Sequence, residues 1–190
     1  MNPPDSFNPA HAVLQHFAQL MAYDLSLAEF EQWVYSSPYI ADVIGYDQYF
    51  QLLDVEYRLP SALDEVRRLI TQLADQFFPD ELEREQVRLV LCAFVQGALN
   101  VFNACAELAW RRSHGAEWIP IIFVGIDSEL DSAPDPAQYH RWEAAALAAR
   151  LAEVEQWVTG YHALALAEAR SLLAAEFPDR PCAEASPGLV

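Results

Sequence analysis

The sequence predicts an all-α protein: a helical bundle of six to eight helices around one long central helix. Three observations carry the prediction. Apolar residues recur at three- and four-residue spacing along most of the 190 residues. Cap signatures stand in front of four of these periodic runs, at Asn8, Ser26, Asp80 and Asp135. Hydrophobic residues make up 53% of the chain against 21% charged, which is enough apolar material for a core. The length suits one domain, expected over 1–177, with 178–190 as a disordered tail.

Each element follows from local chemistry. Asn8-Pro9 reads as an N-cap with proline in the first turn, opening a helix to about Ala22 that carries Val13, Leu14, Phe17 and Leu20. Ser26 and Glu29 form a capping box for a short helix with Phe30, Trp33 and Val34, stopped before Pro38. A further turn of helix runs to Ile44, with Gly45 as its C-cap. Asp47 is expected to cap a helix to Tyr57, with Tyr49, Leu52, Leu53 and Tyr57 inward. Leu63, Val66, Ile70, Leu73 and Phe77 mark the next helix. Asp80 then opens the longest periodic segment, about 81–112, with Leu91, Phe94, Val95 and Phe102 expected in the core. Residues 118–124 are rich in β-branched and aromatic side chains and are expected to be extended. Residues 125–135 read as an acidic loop. Asp135-Pro136 then caps a helix with Trp142, Leu147, Leu151, Val154, Trp157 and Val158 at helical spacing, with a kink or break at Thr159-Gly160.

Composition excludes several function classes. Twenty-eight acids stand against eleven basic residues, all arginine, for a net charge of −17. Such a surface repels nucleic-acid phosphates and anionic lipid, so neither nucleic acid nor a membrane is expected as a partner. The charge is uneven: residues 1–60 carry eight acids and one arginine, and 113–190 twelve acids and four arginines. The intervening 61–112 are nearly balanced. Leu89–Ala106 is uncharged, but Gln96, Asn100 and Asn103 make lipid immersion costly, so a buried central helix is expected. Three unpatterned cysteines, with Cys92 and Cys105 placed about 20 Å apart on one helix, argue against a disulfide framework and for a reducing, cytoplasmic location. The first ten residues have neither a basic nor an apolar signal-peptide region.

Two constellations are candidate sites. Cys92, Gln96, Asn100, Asn103 and Glu107 step by three or four along the central helix, so Gln96, Asn100 and Asn103 form either a polar pocket wall or a narrow solvated face. Asp127, Glu129, Asp131 and Asp135 crowd the acidic loop beside Ile126 and Leu130, an apolar centre among charges that suits partner binding. Their spacing partly follows a calcium loop, but Ser132 and Gln138 replace the required glycine and glutamate, so no metal is expected. The five histidines form no metal-binding pair, and neither a nucleophile–base pair nor a phosphate loop is found. No catalytic residue and no cofactor are therefore expected.

Phe30-Glu-Gln-Trp33-Val-Tyr35, followed by Ile44-Gly45-Tyr-Asp-Gln-Tyr49, Leu52-Leu53 and Tyr57, resembles a pattern near the N-terminus of small bacterial immunity-type proteins of toxin systems. The resemblance covers about 30 of the 190 residues and carries no functional residue. It implies a non-enzymatic protein that neutralises a basic toxin domain by occluding it with an acidic surface. Two rivals stand beside it: a ligand-binding or enzymatic helical protein using the polar stripe, and an acidic scaffold or secretion chaperone.

Overall fold

Nine α-helices and no strand occur among the residues that this computed structural model describes, which are 7–22, 25–132, 144–180 and 182. The all-α class follows from the sequence as expected. Contacts group the chain into two compact units, Met1–Leu89 and Val90–Val190, with the division inside one helix.

The first unit holds α1 (Pro9–Met21), α2 (Leu27–Ser36), α3 (Ile40–Ile44), α4 (Tyr46–Leu53), α5 (Ala62–Phe77) and the start of α6 (Glu81–Val95). Its starts are set locally. Asn8 Oδ1 accepts from the backbone N–H groups of Ala10 and His11. At α2 the capping box is complete: Ser26 Oγ accepts from Glu29 N, and Glu29 Oε2 accepts from Ser26 N at 2.9 Å. Gly45, at φ 87°, ends α3 and starts α4 in one residue, a conformation that favours glycine. Asp47 therefore lies in the first turn of α4 and does not cap it, and α4 stops at Leu53, short of Tyr57. The core gathers Phe17, Phe30, Trp33, Ile40, Ile44, Leu52, Ile70 and Phe78. Within it Phe17 meets Phe30, Trp33 and Phe78 at ring separations of 6.3 to 6.4 Å. In α6, Arg88 grips Glu85, Nη2 to Oε1 at 2.6 Å, with both residues buried.

The second unit holds the end of α6, α7 (Val101–Ser113), α8 (Ile122–Asp131) and α9 (Ala144–Glu176). Three expectations change here. The single central helix over 81–112 is two helices, because the chain turns at 96–100 with Gly97 at φ 77°. The extended segment at 118–124 is a turn that runs into α8, since Ile119 N donates to Ala116 O and Arg112 Nη1 donates to the carbonyls of Glu117 and Ile119. The acidic loop is largely helix: Asp127, Glu129, Leu130 and Asp131 lie on α8. Leu91 and Phe94 are buried as expected, Val95 is half-buried, and Phe102 is 42% exposed because the turn at 96–100 resets the helix face. α9 runs through Thr159 and Gly160 without a break.

The cysteine expectation is also corrected. Cys92 and Cys182 are joined by a disulfide, Cα to Cα 5.3 Å, while Cys105 is a buried free thiol. Spacing within a helix spoke only to Cys92 and Cys105; the bonded partner lies 90 residues along the chain, at a distance that only the tertiary fold sets. Of the expected tail, residues 178–180 make a turn and Cys182 is bonded. Residues 181 and 183–190 lie outside the described residues, as do Asp135, Pro136, Gln138 and Trp142. No described helix is long and apolar enough to cross a membrane.

Candidate functional site

The polar stripe comes apart at the turn. Gln96 is exposed at the end of α6. Asn100 becomes the N-cap of α7, its Oδ1 accepting from Asn103 N at 2.9 Å. Asn103 is exposed in the first turn, Cys92 is in the disulfide, and Glu107 pairs with Arg111 at 2.7 Å. Gln96, Asn100 and Asn103 thus sit at a helix junction and its cap.

On α8 the acids and the apolar residues part company. Ile126 and Leu130 are 2% and 3% exposed, part of the unit's core. They are therefore not the apolar centre of a surface patch. Glu129 and Asp131 are exposed and Asp127 is half-buried. Desolvation raises the Asp127 carboxyl above its ordinary pKa, and Asp131 adds to the rise. Burial, with Asp127 adding, pushes the Cys105 thiol up to about 12, so it stays protonated and a poor nucleophile near neutral pH. No described group of three or more His, Cys, Asp or Glu side chains could hold a metal ion.

A different surface stands out on α2 and α4. Tyr35, Tyr46 and Phe50 are 58%, 66% and 56% exposed. Tyr46, Phe50 and Leu53 follow one another at four and three residues on α4, so they share a face. The Tyr35 hydroxyl donates to Leu53 O at 3.4 Å, bringing the end of α2 to the same strip. Tyr49 holds the two helices together, its hydroxyl donating to Val34 O at 3.1 Å. Beneath, the Tyr57 hydroxyl donates to Leu52 O at 3.0 Å, and burial raises its pKa.

Acids stand next to the strip in sequence. Asp47, Asp54 and Glu56 are exposed, Glu31 is half-buried, and residues 26–57 contain six acids and neither arginine nor lysine.

No protein-family model, curated protein or solved structure matches the chain. The reading of the surface therefore comes from its chemistry. Large aromatics left in water cost free energy, and a strip of them rimmed by charge is the composition of an interface centre. Sequence reasoning placed Tyr49, Leu52, Leu53 and Tyr57 inward and assigned no face to Tyr46 and Phe50. The available signal was angular: at 100° per residue, Tyr46 and Phe50 lie about 120° and 160° around the helix from Leu52.

Proposed function

We propose that this chain is a non-enzymatic binding protein that docks a basic protein partner on the α2–α4 face. The carrying observation is the exposed Tyr35–Tyr46–Phe50 strip within a segment that has six acids and no basic residue. Arginine and lysine of a partner can stack on such rings and pair with Asp47, Asp54 and Glu56 at the rim. The net charge of −17 speeds the encounter with a basic surface.

The resemblance over residues 30–57 falls on this same face and supports the narrower proposal of a bacterial immunity protein that occludes a toxin domain. We place the protein in the cytoplasm. The Cys92–Cys182 disulfide lies within the second unit, so binding through the first unit should not depend on it.

The experiment is co-expression with the basic product of a neighbouring gene, followed by titration of the purified pair. Tyr46→Ala combined with Phe50→Ala should weaken binding more than tenfold, with helicity unchanged because both side chains are exposed. Undiminished binding by this variant contradicts the assignment of the face.

A further inference from the structure

α9 has two halves in different surroundings. Ala165, Ala169 and Leu172 are buried, whereas no residue from Ala145 to Leu164 is. Of these twenty residues Leu147, Arg150, Val154, Trp157, Val158 and Tyr161 are half-buried and the rest exposed, so this half gains little from packing, and a helix with little packing is marginal in water. The apolar pattern nevertheless continues through this half. Leu147, Leu151, Val154, Val158 and Tyr161 alternate at four- and three-residue steps, which is the seam of a coiled coil. Leu151 is 39% exposed, and beside the seam lies an open groove of about 540 Å³ lined by Glu153, Gln156, Trp157, Gly160, Tyr161 and Leu164.

We propose that a second copy of the chain covers this seam, its α9 parallel and in register. The choice of occupant comes from the flanking charges. With Leu151 and Val158 in the first core position of the heptad and Leu147, Val154 and Tyr161 in the second, Arg150 falls just before one core position and Glu155 just after the next. In a parallel pair those positions face each other across the seam. Arg150 of one protomer then meets Glu155 of its partner, and symmetry repeats the pair on the other side. Within one chain Arg150 and Glu155 lie about 140° apart around the helix and cannot pair; Arg150 there bonds Glu153 at 2.7 Å. A basic partner would have to accommodate Arg150 beside the seam, whereas a second copy uses it. The proposal stands independently of the α2–α4 face.

Sedimentation equilibrium of the full chain, from low micromolar to submillimolar concentration, tests it. The wild type should form a concentration-dependent dimer. That dimer should tighten as salt rises toward about 0.15 M, because screening relieves repulsion between two strongly acidic copies. Arg150→Glu alone and Glu155→Arg alone should each weaken the dimer about tenfold. The double variant Arg150→Glu/Glu155→Arg should restore wild-type association, a rescue that no contact within one chain can give. Leu151→Glu should leave a monomer at every concentration, with residues 147–161 as weakly protected as in dilute wild type. A wild type that stays monomeric, single charge variants that associate as wild type does, or a double variant that is not rescued each overturn the proposal.

Discussion

The two units earn their order by different means. Residues 1–89 close around rings: Phe17, Phe30, Trp33 and Phe78 meet within 6.4 Å, and short helices with local caps spend their apolar faces on that centre. Residues 90–190 bury Leu91, Phe94, Leu108, Ile119, Phe123, Ile126 and Leu130 together with several alanines, and a disulfide ties α6 to the C-terminal segment. α9 there carries more apolar stripe than its own unit buries. The contrast teaches that apolar periodicity alone does not say what covers a helix. In the first unit the covering is intramolecular except over the Tyr35–Tyr46–Phe50 strip; in the second, part of it is covalent and part, by our proposal, comes from another copy.

The largest expected effect sharpens this contrast at two phenylalanines. Phe30→Ala, at a fully buried site, should cost about 3–5 kcal/mol. Phe102→Ala, at a 42% exposed site, should cost less than about 1 kcal/mol. Urea denaturation of both variants gives the comparison, and equal losses would break it.

Next comes the covalent tie. Cys182→Ser opens a loop closed across 90 residues and should destabilise the second unit by about 2–4 kcal/mol. Hydrogen exchange read segment by segment should show faster exchange in α7 to α9 and unchanged rates in α1 to α5. A uniform change would mean that the two units do not open separately.

A smaller effect depends on pH and belongs to the first unit. His16 stacks on Trp33 at 4.2 Å. Burial lowers its pKa below the ordinary 6.5, an effect partly offset by its bond to the Ala12 carbonyl. The fold therefore prefers neutral His16, and the unfolded chain binds the proton more readily. The stability this contributes is full above about pH 6.5 and is lost as pH falls through the folded-state value. His16→Phe should flatten the decline in stability between about pH 7 and pH 5. A decline as steep as in the wild type would assign the pH dependence to other groups.

The smallest effect lies at the end of α8. Asp131 is the last residue of that helix, where the dipole disfavours an anion. Asp131→Asn should stabilise by about 0.3–1 kcal/mol. Thermal unfolding that shifts downward would instead give the carboxylate a stabilising partner.

The same two regions show what could be read from sequence and what could not. Helix starts at Asn8 and Ser26 and the stop at Gly45 were readable because a cap bonds to backbone two to four residues away. At 96–100 a local signal competed with a longer one: the apolar spacing carries smoothly across the turn, and it outweighed Gly97 and Asn100, a turn glycine and a capping amide. Ile119 to Val124 suggested a strand by composition, yet Pro120 stands just before the N-cap of α8, where proline marks a helix start. The Cys92–Cys182 bond depends on tertiary placement, which no short-range pattern records, whereas the outward turn of Tyr46 and Phe50 was readable from their angle to Leu52.

The contrast between a self-closed unit and a helix awaiting cover is tested most directly by hydrogen exchange of the full chain at two protein concentrations. The amides of Leu147 to Tyr161 should be weakly protected in dilute solution and gain protection as concentration rises, while those of α1 to α5 stay constant. Protection over 147–161 that matches α5 and ignores concentration would contradict the account.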